Sequence, residues 1–271
     1  MHEDTDFDPP PIDTETPSVA RMYDYLLGGT DNYVADRVAC EQLLRIVPDT
    51  RALALNNRAF LRRVVRVLAD RYGIRQFVDH GSGLPTRDNV HQVAQAVDPS
   101  CRVVYVDNDP TVLAHGRTLL DEDDESTLFL QADMRRTDDI LDRPLVREMI
   151  DFDRPVAALF VSVLHCIPEQ DDPKALVRRV AAKLCPGSFL VVCQLVSDDP
   201  SVREGVTRFM AEATDGNWGE VRPREAVHDF LEGLEIMPPG LMEVTDWHPD
   251  TEPRVLQSDD FIEYGGLARV R

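Results

Sequence analysis

The sequence predicts an α/β fold: a doubly wound, mostly parallel sheet with a helical extension at its N-terminus. Apolar runs of strand length alternate with helical patterns from residue 76 onward, and a glycine-rich turn follows the first of these runs. The region before residue 74 shows only helical periodicity. No apolar run in the 271 residues approaches the roughly 20 residues of a membrane span, so we expect no membrane association.

The N-terminal part divides into a leader and a helical extension. Residues 1–16 are acidic and rich in proline and lack the basic and apolar regions of a secretory signal, which predicts a disordered leader in a cytoplasmic protein. Residues 17–73 form the predicted extension. Pro17 at a helix start and glycines at helix ends are typical boundary residues. The pattern predicts three helices, at about 17–27, 33–46 and 50–72.

Residues 74–271 are predicted to form one domain of strand–helix units. The short crossovers predict a parallel sheet, and the last two strands predict a closing antiparallel hairpin. The predicted strands are 76–80, 102–107, 127–132, 156–163, 188–196, 241–247 and 261–269. The predicted helices are 87–97, 110–120, 172–184, 200–213 and 223–232.

The turn after the first strand carries the clearest functional signal. Gly81 and Gly83 lack the Cβ atoms that would keep a ligand from the backbone. Asp107 ends the second strand, where a carboxylate can accept hydrogen bonds from two ribose hydroxyls. Together these residues predict a nucleoside-binding crevice.

The identity of the nucleoside depends on the third glycine of the motif. Dinucleotide-binding folds place a glycine three residues after the second one, where this chain has Thr86. That residue argues against NAD(P) or FAD and is compatible with S-adenosylmethionine (SAM), which has no phosphate for a helix N-terminus to bind. An α/β protein with a tight turn and no ligand remains an alternative at this point.

The net charge and the cysteine content limit which partners and ligands we expect for the protein. The formal net charge of −20 would repel a nucleic-acid backbone, so we expect no nucleic-acid partner. The five cysteines are odd in number, show no CxxC spacing and lie mostly in apolar segments. We therefore expect reduced thiols, without disulfides, zinc or another metal.

The order of these motifs resembles the class I SAM-dependent methyltransferases, whose sheet has seven strands with the last one antiparallel. More narrowly, the chain resembles an actinobacterial S-adenosyl methyltransferase family, formerly a domain of unknown function. The residues that carry this resemblance are Ala20–Gly29, Asn32, Asp36–Arg37, Asn57–Phe60, Gln76–Asn89 and Val104–Pro110.

The resemblance implies a SAM site at the carboxyl ends of the strands. It places Asp79, Gly81 and Gly83 at the methionine part, Asp107 and Asn108 at the ribose and its adenine side, Asp133 and Met134 at the adenine, and Ser162 at the sulfonium end. His80 departs from the small or apolar residue that often follows the motif Asp. The extension would cover the crevice, and Tyr23, Gly28, Gly29, Asn32 and Arg58 are the candidates for this lid, with Tyr23 and Arg58 reaching the cofactor.

His165, just after the fourth strand, is the candidate general base, because an imidazole can accept a proton near neutral pH. A loop histidine satisfied by the backbone is the alternative. The predicted function is transfer of a methyl group from SAM to a small-molecule acceptor. A catalytically silent SAM-binding regulator and an NAD(P) oxidoreductase remain open, and the sequence identifies neither the acceptor nor the oligomeric state.

Overall fold

The computed structural model describes residues 12–86, 88–119, 125–249 and 260–271. An eight-stranded sheet lies at the centre of this part of the chain, in the order β3-β2-β1-β4-β5-β8-β6, with β7 also paired to β8. Its strands are β1 (Gln76–His80), β2 (Arg102–Asp107), β3 (Thr127–Gln131), β4 (Ala157–Val161), β5 (Phe189–Val196), β6 (Glu235–Ile236), β7 (Met242–Glu243) and β8 (Ile262–Arg269).

The sheet is parallel except at one end. Strands β1 to β5 run parallel to their neighbours, and β8 runs antiparallel to β5, β6 and β7. The mostly parallel sheet and its antiparallel end are thus confirmed. The strand predicted at 241–247 is reduced to the two residues of β7, and the equally short β6 was not predicted. The connection between β7 and β8 lies largely outside the described residues.

Helices cover both faces of this sheet, as a doubly wound fold requires. On one face Phe60 of α3 and Ala94 of α4 pack against Phe77, and on the other α6, α7, α8 and α10 pack against Val78 and Phe160. Successive strand residues point to opposite faces, so Phe77 and Val78 enter different cores. The described helices are α1 (Val19–Leu26), α2 (Val34–Ile46), α3 (Thr50–Asp70), α4 (Val90–Val97), α5 (Pro110–Leu119), α6 (Thr137–Leu141), α7 (Pro144–Met149), α8 (Pro173–Lys183), α9 (Pro200–Ala213) and α10 (Glu225–Phe230).

The N-terminal helices form a third apolar cluster beside the sheet. Met22 of α1, Cys40 of α2 and Met210 of α9 are buried in it. Arg21 Nε donates to Asp36 Oδ2 at 2.8 Å, and both side chains are buried. Removing either partner would leave the other charge buried without compensation, so this pair fixes α1 against α2.

Helix α1 begins two residues later than predicted. Ser18 is its N-cap, and the Ser18 backbone amide donates to Asp36 Oδ1 at 2.9 Å. The predicted start at Pro17 is therefore replaced by a serine cap that is anchored to α2. Most of the predicted leader, residues 1–11, lies outside the described residues.

Two short helices between β3 and β4 were not predicted. Ile140 and Leu141 of α6 and Val146 of α7 are buried in the core under the sheet. Pro144 opens α7 at the first helical position. The segment between β3 and β4 shows too little apolar periodicity to reveal two helices this short.

Three further features bear on the sequence predictions. All five cysteine thiols are free. The described residues contain no group of histidine, cysteine and acidic side chains arranged to hold a metal. Among the helices in the described ranges, none is long and apolar enough to cross a membrane.

Candidate functional site

A cavity of about 560 Å³ opens at the carboxyl ends of β1, β2 and β4. Helices α1 and α3 lie across it, contributing Tyr23 and Asn57 among other lining residues. Ile12 and Asp13, which precede α1, lie along the same cavity. The carboxyl ends of parallel strands are where ligands bind in open α/β sheets, so this cavity is the candidate site.

The glycine turn after β1 forms one wall. Gly81 and Gly83 both have left-handed backbone angles, with φ of +71° and +67°. A Cβ atom at Gly81 would lie 2.2 Å from Val163 Cγ2, whereas one at Gly83 would meet nothing within 4 Å. Gly81 is therefore required both by its φ angle and by the close approach of Val163.

Asp107 and the glycine turn are hydrogen-bonded to each other. The Gly83 amide donates to Asp107 Oδ2 at 2.8 Å, and the Asp109 amide donates to Oδ1 at 2.9 Å. Burial raises the pKa of Asp107 to about 6 although these amides oppose the rise. Each carboxylate oxygen keeps a second lone pair, so Asp107 can still accept hydrogen bonds from a ligand in the cavity.

Asp79 and Arg58 both line the same cavity, and the charge of Arg58 acts on Asp79. Asp79 is only 5% exposed, and burial raises its pKa to about 7, with the Asp107 charge adding to the rise and the Arg58 charge opposing it. Arg58 Nη2 donates to the Asp88 carbonyl at 3.0 Å. The structure thus brings together a carboxylate and a guanidinium that the sequence placed in different regions of the chain.

The predicted adenine end also lines the cavity, through Asn108, Asp133 and Met134. Asp133 is held by Arg135, whose Nη2 lies 2.6 Å from Asp133 Oδ2 and whose Nη1 lies 2.6 Å from Asp171 Oδ2. Partial burial works to raise the pKa of Asp133, but the hydrogen bonds from Arg135 lower it. Asp133 is therefore an ionised acceptor with a fixed orientation.

Three residues that line the cavity and carry an unpaired polar atom were missed by sequence reasoning. Ser82 Oγ, Thr111 Oγ1 and Trp218 Nε1 are buried and have no hydrogen-bond partner among the described residues. Buried polar groups are normally paired, so unpaired ones in residues that line a cavity are candidates for contact with a ligand. Ser82 could have been found from its place between the two glycines, whereas nothing local distinguishes the other two.

Ser162 follows β4 and has a left-handed φ of +57°, an uncommon angle for a serine. Its hydroxyl donates to Glu263 Oε1 at 2.5 Å, and its backbone amide donates to the Cys193 carbonyl at 2.7 Å. Cys193 Sγ donates to Glu263 Oε2 at 3.0 Å. Three strands, β4, β5 and β8, therefore contribute to a polar cluster at the floor of the cavity.

Glu263 was not a predicted site residue. It is 2% exposed, it lines the cavity, and burial raises its pKa to about 7 even though Ser162 and Cys193 donate to it. Its neighbours Ile262 and Tyr264 are strand residues of β8, so the local pattern indicates only a strand.

Tyr23 connects helix α1 to the same floor. Its hydroxyl donates to Asn57 Oδ1 at 2.8 Å, and Asn57 Nδ2 lies 3.5 Å from Cys193 Sγ. Burial raises the pKa of Tyr23. Tyr23 therefore stays a neutral phenol, and its contacts tie the covering helices to the floor of the cavity.

The other candidates for the lid shape the turn after α1 and do not line the cavity. Asn32 Nδ2 donates to Asp24 Oδ2 at 2.7 Å, and a Cβ atom at Gly29 would lie 1.9 Å from Asp24 Oδ1. Gly28 has a left-handed φ of +82°. These residues form a turn around the buried carboxylate of Asp24.

His165 lies in a 3₁₀ turn, Leu164–Cys166, and is buried at the edge of the cavity. The Leu195 amide donates to His165 Nδ1 at 3.3 Å, and the ring centroid lies 4.8 Å from that of Trp218. Burial, together with the charge of Arg222, lowers the pKa of His165 to about 3. With Nδ1 occupied, the neutral ring carries its proton on Nε2. These contacts support a packing role, and the role of general base stays a prediction.

His80, the residue that departs from the motif, is part of the core. It is 1% exposed and stacks on Phe160 with 4.5 Å between ring centroids. Burial lowers its pKa to about 4. His80 therefore fills the place of an apolar residue in its neutral form.

The profile of one protein family, described as S-adenosyl methyltransferase, matches residues 5–271. The chain belongs to the S-adenosyl methyltransferase family. The predicted family and its cofactor, SAM, are thereby confirmed.

Two solved structures are similar to this S-adenosyl methyltransferase over nearly its whole length. A candidate methyltransferase from Thermobifida fusca is 39% identical, with a TM-score of 0.87, covering 98% of this chain and 100% of that one. A DUF574 family protein from Streptomyces avermitilis is 38% identical, with a TM-score of 0.88, covering 96% of this chain and 100% of that one. A comparison with curated proteins finds no match.

The cavity of this S-adenosyl methyltransferase has polar groups that fit SAM. The cofactor donates hydrogen bonds from its ribose hydroxyls, adenine amino group and methionine ammonium, and Asp107, Asp133 and Asp79 are carboxylate acceptors along the cavity. The unpaired Ser82 and Thr111 hydroxyls add partners. When bound, SAM supplies an electrophilic methyl group on a positively charged sulfur.

Proposed function

We propose that this S-adenosyl methyltransferase methylates a small-molecule acceptor. The observation that carries the proposal is the covered cavity, which extends from Asp107 to Glu263 and Trp218 beneath α1 and α3. Its volume of about 560 Å³ lies in the range of small-ligand sites. A covered space of this size suits a small acceptor better than a folded macromolecule.

The cofactor roles are those that the resemblance to SAM-dependent methyltransferases implies, and the residues concerned all line the cavity. Asp107 would accept from the ribose hydroxyls, and Asp133 from the adenine amino group, with Asn108 and Met134 flanking the ring. Asp79 and Arg58 would pair with the ammonium and carboxylate of the methionine part. Opposite charges placed together in this way match a zwitterion.

Methyl transfer is a direct displacement, so the protein must mainly align the reacting atoms and exclude water. Ser162 follows β4 and belongs to the polar cluster at the floor of the cavity, where it would face the sulfonium end of the cofactor. Tyr23 and the extension of residues 17–73 would close the cavity from above, over a SAM-binding domain of residues 74–271. In this arrangement the acceptor lies between Ser162 and Trp218.

The test of this function uses SAM labelled in its methyl group and the dialysable fraction of a cell extract. Label that appears in a small molecule, together with S-adenosylhomocysteine, supports the proposal. Label that appears only in protein or nucleic acid, when whole extract is supplied, overturns the small-molecule acceptor. A wild-type protein that binds SAM but labels nothing favours the catalytically silent regulator. Binding of NADH without SAM would favour the oxidoreductase.

Two properties of the chain support the predictions that it is cytoplasmic and that it has no nucleic-acid partner. Its five free thiols suit the reducing cytoplasm. Its net charge of −20 disfavours a nucleic-acid acceptor.

A further inference from the structure

The carboxylate of Glu263 lines the cavity beside Ser162, the residue that is placed at the sulfonium end of the cofactor. Only 2% of the residue is exposed, and two neutral donors, the Ser162 hydroxyl and the Cys193 thiol, hold its two oxygens at 2.5 and 3.0 Å. Each oxygen keeps a lone pair after these hydrogen bonds. Glu263 is thus fixed in orientation and still able to accept from a ligand.

The strained angle of Ser162 supports a functional role for this contact. A serine with φ of +57° lies in a sparsely populated region of backbone angles, and such residues cluster at ligand sites. The hydroxyl of this same residue donates to Glu263. The folded chain therefore tolerates strain at the point where it orients this carboxylate.

The surroundings of Glu263 contain no compensating positive charge within the described part of the chain. The titratable groups that face it are Tyr23 from α1, Cys193 from β5 and Cys166 from the 3₁₀ turn. Burial raises the pKa of all three, so they remain neutral. Of the arginines that line the cavity, Arg21 pairs with Asp36 and Arg135 with Asp133, and Arg58 is assigned above to the carboxylate of the methionine part.

We propose that Glu263 binds the ammonium group of a small amine acceptor and takes its proton during methyl transfer. A buried carboxylate is stabilised by an opposite charge, and here only a ligand can bring one to it from within the cavity. An amine must also lose a proton before its nitrogen can act as a nucleophile. This inference rests on the proposed function and names its acceptor class.

The proposed step balances as follows. The acceptor ammonium gives one proton to Glu263, and the nitrogen lone pair forms the bond to the methyl carbon as the carbon–sulfur bond breaks. The electron pair of that bond stays on sulfur, which becomes a neutral thioether. The product is the methylated ammonium ion, and Glu263 later releases the proton to water.

The first test measures binding and needs no knowledge of the acceptor. The carboxyl carbon of Glu263 is assigned by ¹³C NMR from its absence in Glu263→Gln, and its titration is followed with S-adenosylhomocysteine present. A saturating concentration of n-butylammonium is expected to raise the acid dissociation constant of Glu263 about tenfold or more, because an opposite charge favours the ionised form. The neutral isostere 1-butanol is the control and should leave the acid dissociation constant unchanged. Equal titrations with both compounds would overturn the proposal.

The second test measures transfer of label from methyl-labelled SAM to the dialysable fraction of the cell extract, as described above. Glu263→Gln should lower label transfer about 100-fold or more, as loss of a general base does, while SAM affinity stays close to that of the wild type. The exposed Glu212→Gln is the matched control. The labelled product should carry its methyl group on nitrogen. A methyl group on oxygen or carbon, or full turnover by Glu263→Gln, would overturn the inference, whereas a wild type that fails to bind SAM would overturn the proposed function itself.

Discussion

At the scale of a single residue, the buried carboxyl group of Glu263 is expected to make the stability of the protein depend on pH. Burial raises its pKa from 4.5 to about 7, so the folded state holds a proton that the unfolded state loses between these pH values. The stability of the wild type should therefore fall as pH rises through this window, whereas Glu263→Gln cannot titrate. The variant is expected to gain on the wild type by about 1.4 kcal/mol per pH unit, up to about 3 kcal/mol.

Urea unfolding at pH values within and above this window measures the difference in free energy of unfolding. Glu212→Gln, on the surface of α9, is the control and should show no such trend. A constant difference between Glu263→Gln and the wild type across the window would contradict the assignment of a buried, protonated carboxyl group.

His80 predicts the opposite pH dependence. Burial lowers its pKa from 6.5 to about 4, so below pH 6.5 the unfolded state binds a proton that the folded state does not. The wild type should lose stability relative to His80→Phe as pH falls, by about 1.4 kcal/mol per unit down to about pH 4. The measurement is urea unfolding of both proteins at pH 7 and about pH 5. His228→Phe, at an exposed position, is the control and should show no such trend. A stability profile of His80→Phe that runs parallel to that of the wild type across this pH range would contradict the prediction.

Site residues at strand ends could be predicted from the sequence, and others could not. Asp107 follows an apolar run directly, so its place at the carboxyl end of β2 is a local property of the chain. Glu263 lies inside β8, and it reaches the cavity only because the antiparallel end of the sheet brings it beside Ser162 and Cys193. Thr111 likewise can be recognised as a site residue only from the cavity that it lines.

At the scale of an element, substitutions in the glycine turn after β1 distinguish the cost of backbone strain from the cost of a steric clash. Gly83→Ala places an alanine at φ +67° in open space and should cost about 1 to 2 kcal/mol. Gly81→Ala adds a Cβ atom 2.2 Å from Val163 Cγ2 and 2.9 Å from Met134 Cε, so it should cost about 3 kcal/mol or more. Denaturant midpoints of the two variants measure the difference. Equal destabilisation would show that Val163 does not restrict this turn.

Elements with long periodic patterns were predicted well, and short ones were not. The apolar stripe of α3 that includes Phe60 and Val64 defined a helix whose start at residue 50 is confirmed. Helices α6 and α7 are each shorter than two turns and β6 has two residues, so their periods cannot be recognised, and the strand predicted at 241–247 was predicted too long because β7 also has only two residues. Their formation depends on packing and pairing with distant parts of the chain.

At the scale of the whole molecule, the sequence indicates where the cavity lies but not how far it extends. Parallel strand order brings the ends of β1, β2 and β4 together, which the strand–helix alternation already implied. The covering position of α1 depends on long-range contacts, such as that between the Ser18 and Asp109 side chains. These contacts have no signature in local sequence.

The central claim, that SAM binds in this cavity with Asp107 as an acceptor, is tested most directly by calorimetric titration with SAM and S-adenosylhomocysteine. The wild type should bind at micromolar concentration, and Asp107→Ala should weaken binding about tenfold or more through loss of charge-assisted hydrogen bonds. The exposed Asp153→Ala should bind like the wild type. Absence of binding by the folded wild type, or unchanged affinity in Asp107→Ala, would contradict the account.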